Sequence, residues 1–149
     1  VIQQLWTPDQ CDAGEYTLLS WITDTIAIGS IDQAMCPALL REECITAVVS
    51  IGKLAPPPGK VRGHHSRFAD IEDQRRIPWT RSIEVANAIR QAAANGKTLV
   101  HSAAGVSRSP AFVTLALALE RDILWTDAKA IVAQGRPITN IHPVTEATI

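Results

Sequence analysis

Residues 98–110 read Thr98-Leu99-Val100-His101-Ser102-Ala103-Ala104-Gly105-Val106-Ser107-Arg108-Ser109-Pro110. The β-branched and apolar start predicts a short buried strand ending near His101. The small residues that follow predict a tight loop, in which Gly105 is able to take a positive φ if the turn requires one. Pro110 suits the first turn of a helix beginning near Ser107. Residues 111–119 are apolar almost all round, so that helix belongs in the core. A loop entering a helix offers an anion successive backbone N–H groups and the positive end of the helix dipole. Ala103, Ala104, Gly105, Val106 and Ser107 are small enough to let that backbone come close. Arg108 adds a planar fork that meets two oxygens at once. These six residues are the expected phosphate-binding set.

Working outward, residues 21–28 alternate β-branched side chains and stop at Gly29, which predicts a strand or hairpin. Ser30 or Asp32 can cap a helix running through about Glu43. Residues 45–51 form a β-branched run typical of a strand buried on both faces, closed by Gly52. The prolines at 56–58 with Gly59 predict a loop. Residues 64–71 include another short strand. Pro78 leads into a helix over about 80–94, with Ile83, Ala86, Ile89 and Ala93 on one face and Asn95-Gly96 as its stop. Thr126 is the expected cap of a last clear helix, ending at Gly135-Arg136-Pro137. Strands alternating with helices argue an α/β fold with a mainly parallel central sheet flanked by helices. Ligands of such sheets bind beyond the carboxyl ends of the strands, which is where residues 101–109 fall.

A chain of 149 residues with 46% apolar and 19% charged residues is long enough for one domain, expected over residues 1–149. Its net charge of -1 gives no reason to expect nucleic acid as a partner. Lys60, Arg62, Arg67, Arg75, Arg76 and Arg81 cluster in the middle, either as ordinary solvated charge or as a basic rim that draws in an anion. Cys11, Cys36 and Cys44 lack paired CxxC spacing. Cys36 and Cys44 lie in apolar surroundings, which predicts reduced thiols acting as small hydrophobes in a cytoplasmic protein. No apolar run approaches the ~18 residues of a membrane span. No signal-peptide pattern precedes the domain, and the start at Val1 reads as a trimmed chain. Trp6, Trp21, Trp79 and Trp125 are expected in or near the core, with Trp79 alternatively lining a cleft. His64-His65 have no partners at ligand spacing, so neither a metal nor another cofactor is expected.

The run His101-Ser102, five residues, Arg108, Ser109 resembles the signature of the cysteine-dependent protein tyrosine phosphatases, dual-specificity type. In that signature His-Cys, five residues and Arg are followed by Ser or Thr. Only the cysteine is missing, and Ser102 stands in its place. Ala27-Ile28-Gly29-Ser30 and Gly135-Arg136-Pro137-Ile138 are similar to two further family segments, so the likeness covers most of residues 22–140. The family continues past this point with another helix, expected here to be short or missing after His142-Pro143.

The resemblance implies a protein tyrosine phosphatase-like fold and a phosphorylated protein or peptide as substrate, with phosphate-like anions held in the loop. It implies that position 102 carries the nucleophile, that His101 orients the loop, and that Ser109 eases departure of the thiolate. The family's general acid is an aspartate on an upstream loop, and Ile71-Glu72-Asp73-Gln74 matches its pattern, so Asp73 is expected in that role. Asp70 is its competitor, with Glu72 behind. A loop that stabilises a thiolate does little for a serine hydroxyl, which is much harder to ionise and needs a general base. The chain as written is therefore expected to bind phosphate and not turn it over. Either Ser102 replaces the cysteine of an active phosphatase, a favoured reading because Asp73 and Ser109 remain, or the chain is a natural phospho-residue binding module. No lysine lies in residues 103–107, which favours phosphoproteins over phosphoinositides.

Three other readings compete for the loop. It could be merely structural. Rhodanese-like domains share Cys-x5-Arg loops but lack the upstream acid and the flanking segments. Gly105-Val106-Ser107 begins a serine-hydrolase elbow, with His142 the only downstream histidine, but Ser109 stands where glycine is needed.

Overall fold

Strands buried on both faces form the centre of the molecule, as their β-branched runs predict. The computed structural model describes residues 18–52, 64–73 and 75–149. Trp6, Cys11, the 56–59 loop, Lys60, Arg62 and Gln74 lie outside the described residues. Within them the order is β1 (Ser20–Trp21), β2 (Ile26–Gly29), α1 (Ile31–Ala34), α2 (Pro37–Glu42), β3 (Ala47–Ile51), β4 (His64–Phe68), α3 (Trp79–Asn95), β5 (Thr98–His101), α4 (Arg108–Arg121), α5 (Trp125–Gly135) and α6 (Pro143–Thr148). The strands form one sheet in the order β1-β2-β5-β3-β4, parallel except for the β1–β2 hairpin.

Period-two alternation divides the core between the two faces. Ile26, Ile28, Val49, Ile51 and Val100 point to one side, against α3, α4 and α5, where Phe112 is fully buried. Ala27, Val48 and Leu99 point to the other, against Ala34, Leu39 and Leu40 of α1 and α2. The register aligns Ser50 with His101, one step beyond Val49 and Val100. Both therefore fall on the α1–α2 face, at the carboxyl edge of the sheet.

Several local expectations are corrected. The predicted helix through Glu43 is two helices. Ser30 caps α1 in a capping box with Gln33, while Asp32 sits in its first turn. Pro37 then restricts Cys36 to extended backbone and opens α2. The buried stripe of α3 runs through Ser82, Val85, Ala86 and Ile89, with Ile83 and Ala93 at its margins. Leu124, not Thr126, is the N-cap of α5, because its carbonyl already accepts from Asp127 and Ala128. A helix does follow His142: α6 is short but present.

The cysteines also differ from expectation. Cys36 is disulfide-bonded and Cys44 is free but exposed. A disulfide persists in oxidising surroundings, so the argument from reduced thiols to a cytoplasmic setting does not carry. Trp79 is 52% exposed and is no core residue. Trp21 and Trp125 are half-buried. Within the basic cluster, Arg75 pairs with Glu72, and Arg81 with Asp70 and Glu84. Among the described residues no helix is long and apolar enough to cross a membrane.

Candidate active site

β5 ends at His101, and the loop that follows curls beneath the first turn of α4. Every carbonyl from 102 to 107 is held by a donor. The Ser102 carbonyl accepts from His101 Nδ1 at 3.0 Å, and the Ala103 carbonyl from the Ile31 amide at 2.9 Å. Ala104 and Gly105 accept from Arg136, through Nη2 at 3.1 Å and Nε at 2.6 Å. Val106 accepts from the Asn140 amide at 2.8 Å, and Ser107 from that of Ala111 at 2.9 Å. A trans peptide points its N–H opposite to its C=O. Anchoring these carbonyls thus turns the N–H groups of 103–108 to the other side, where such an array can hold an anion. Gly105 has the expected positive φ of 71°, and a side chain there would collide with the Gly29 carbonyl and Arg136.

Arg136 was legible only as part of an Arg-Pro segment. It is 7% exposed, and its third contact, from Nη1, is to Ser20 Oγ at 2.8 Å. All three partners are uncharged oxygens, so its positive charge is left to act on the loop above it.

His101 is fully buried, and its pKa is pushed down to about 4, chiefly by desolvation. The ring is neutral near pH 7 and carries one proton. Since a carbonyl only accepts, that proton is on Nδ1, and Nε2 accepts from the Ser50 hydroxyl. Ser50 in turn receives a hydrogen bond from His65 Nε2 at 2.9 Å. Burial, then Arg67 and His64, lower the pKa of His65. Both nitrogens of His101 are thus committed away from the hydroxyl of Ser102. Ser102 is 3% exposed; its Oγ lies 3.1 Å from Ser109 Oγ and accepts from the Ser109 amide at 3.4 Å.

Arg108 opens α4 with its guanidinium against Gly52, at the end of β3. Gly52 has φ 119°, and a Cβ there would run into Arg108 Nη1. Sequence reasoning took Gly52 only as a strand end; the missing side chain makes room for the guanidinium. Arg108 Nη1 reaches the Ile71 carbonyl at 3.4 Å. Its Nε is buried without a hydrogen bond and lies 3.9 Å from Asp73 Oδ2.

The two candidate acids separate cleanly. Asp70 is turned away and bonded twice to Arg81, at 2.7 and 3.1 Å, which lowers its pKa. Asp73 lies over the loop instead. Its Oδ1 accepts from Ser107 Oγ at 2.7 Å and from Thr145 Oγ1 at 2.8 Å. Ser107 Oγ also accepts from the His142 amide at 2.8 Å. The His142 ring caps α6, with Nδ1 accepting from the Val144 amide, so it does not activate Ser107. The serine-hydrolase alternative therefore lacks its histidine base. No cluster of three His, Cys, Asp or Glu side chains that could hold a metal lies among the described residues.

A mainly parallel five-stranded sheet flanked by helices on both faces is the protein tyrosine phosphatase-like fold. The solved structures it resembles include dual-specificity phosphatases. A variant of human DUSP28 superposes with a TM-score of 0.81 at 23% identity, over 89% of this chain and 92% of that one. DUSP15 gives a TM-score of 0.75 at 26% identity, over 87% and 83%. Human tyrosine phosphatase-like serine/threonine/tyrosine-interacting protein gives 0.72 at 22% identity, over 86% and 90%. No family model matches the sequence, and no curated protein matches it.

Proposed function

We propose that this chain is a phosphoprotein phosphatase domain of the dual-specificity type, with serine at the nucleophile position, which binds phosphate monoesters and does not hydrolyse them. The observation that carries the reading is the run of anchored carbonyls from Ser102 to Ala104 and on to Ser107, which leaves the intervening amides turned away from those donors in the loop that leads to Arg108. A phosphate there meets the amides, the dipole of α4 and both edges of the guanidinium.

With cysteine at position 102 the chemistry runs in two balanced steps. The thiolate attacks phosphorus, the ester P–O bond breaks, and protonated Asp73 gives its proton to the departing oxygen. Asp73, now a carboxylate, takes a proton from water as the water oxygen attacks phosphorus. The P–S bond then breaks, and Ser109 Oγ donates to the sulfur as it leaves as thiolate. Ser102 halts the first step. Its hydroxyl neighbours Ser109 and not an imidazole, so no base removes its proton.

A second reading, a natural binding module for phosphorylated residues, draws support from Ser102 itself and from the likeness to a protein described as tyrosine phosphatase-like and interacting. One comparison separates the two. The Ser102→Cys variant and the parent chain are assayed with an aryl phosphate and, for binding, with phosphotyrosine and phosphoserine peptides. Vanadate-sensitive, metal-independent turnover by the cysteine form alone supports the phosphatase. An inert cysteine form beside a parent that binds phosphopeptides makes the chain a binder. Failure of both to bind or turn over phosphate overturns the proposal.

A further inference from the structure

The two hydroxyls on Asp73 come from different parts of the chain and reach the same oxygen. Ser107 belongs to the loop, and Thr145 to α6, 72 residues further along from Asp73. Thr145 is fully buried, and its Oγ1 also lies 3.1 Å from the Asp73 backbone carbonyl. With two donors on Oδ1, that oxygen is saturated. Oδ2 is left facing Arg108 Nε at 3.9 Å.

The helix that carries Thr145 is itself fixed at both ends of the contact. His142 caps it, and its amide is tied to Ser107. Lys129 of α5 holds Glu146 at 2.8 Å. The neighbour of Thr145 in sequence therefore anchors α6 to α5, while Thr145 points inward at the acid loop.

We propose that Thr145 is a positioning residue for the general acid: together with Ser107 it occupies Oδ1 of Asp73, so that Oδ2 alone carries the proton delivered to the leaving oxygen. This rests on the reading of Asp73 as the acid. The consequence is that α6, outside the signature loop, sets the geometry of proton transfer.

The test uses the Ser102→Cys background with Asp73→Asn, Thr145→Val and Thr145→Ser, each assayed on phenyl phosphate and on 4-nitrophenyl phosphate. Phenolate is a poor leaving group and needs the proton; 4-nitrophenolate leaves largely without it. Asp73→Asn should lower kcat on phenyl phosphate about 100-fold or more, the usual contribution of a general acid. Thr145→Val should lower it roughly tenfold, a part of that contribution, with KM little changed and 4-nitrophenyl phosphate nearly unaffected. Thr145→Ser, which keeps the hydroxyl, should restore the rate. If Asp73→Asn is selective for phenyl phosphate and Thr145→Val is not, the Thr145 proposal fails and the acid assignment stands. If Asp73→Asn shows no selectivity, the acid assignment fails and takes the proposal with it. Amide hydrogen exchange in the Ser102 chain gives a readout independent of turnover. Thr145→Val should speed exchange in residues 69–73 and leave β5 unchanged, and equal exchange in both forms overturns the proposal.

Discussion

Arg136 donates from Nε to the Gly105 carbonyl oxygen at 2.6 Å, joining the end of α5 to the middle of the β5–α4 loop across 31 residues of sequence. The contact does two things at once. It holds a carbonyl outward so that the next amide turns inward, and it puts a buried cation, with no carboxylate partner among the described residues, under the loop. Loop geometry and loop potential both depend on one side chain far away in the chain.

Arg136→Met should therefore weaken binding of tungstate or a phosphopeptide by tenfold or more while the fold survives. Two charged hydrogen bonds to buried carbonyls are lost, and stability should fall by about 3 kcal/mol. Calorimetric binding and urea unfolding measure the two effects. Unchanged affinity would mean that the loop holds its shape without the brace.

Gly52→Ala tests the space made for Arg108. The added methyl would occupy guanidinium volume at a backbone angle that disfavours any side chain. The strain should cost about 1–2 kcal/mol. Oxyanion affinity should fall further than Arg108→Lys lowers it, because the charge is displaced and not merely reshaped. Equal affinity to the parent chain would show that Arg108 has another route into the site.

His101 makes stability depend on pH in a definite direction. In the unfolded chain it takes a proton near pH 6.5, and in the fold only at about pH 4. Between those values the unfolded state binds more protons, so stability rises with pH. The contribution is complete above pH 6.5 and is lost as pH falls toward 4. The full shift corresponds to about 3 kcal/mol. His65, also lowered by burial, acts in the same sense. Urea midpoints measured through this window should decline, and His101→Asn should flatten the slope while lowering the plateau. A slope identical in the two proteins would remove His101 as its source.

Asp70→Asn is the control for the acid assignment. The carboxylate is exposed and engaged with Arg81 at the surface, so its loss should change stability by less than about 1 kcal/mol. In the Ser102→Cys background its turnover of phenyl phosphate should match that of the unmodified Asp70 form. A large loss would move the proton donor to Asp70.

Local chemistry explains what was readable in advance. The β-branched runs at 45–51 and 98–101 can be satisfied only between two covered faces, so the α/β class followed from them. A run of small residues between an apolar strand and an apolar helix folds as a tight loop, and residues 102–107 do so. Gly105, the residue of that run free to take a positive φ, does take one. The break between α1 and α2 is written in Pro37, which holds Cys36 in extended backbone.

Side chains acting across long separations were not readable. Nothing near Arg136 distinguishes a loop brace from an exposed arginine, and nothing near Thr145 marks it as a partner of Asp73. Asp70 and Asp73 lie three residues apart, and only the folded chain gives one to Arg81 and the other to Ser107. Short-range patterns report what a segment must become, because strand, loop and helix preferences act over a few residues. Which carbonyl is held outward, and which oxygen of Asp73 is left free, are set by contacts spanning 31 and 72 residues, and only the folded chain brings those together.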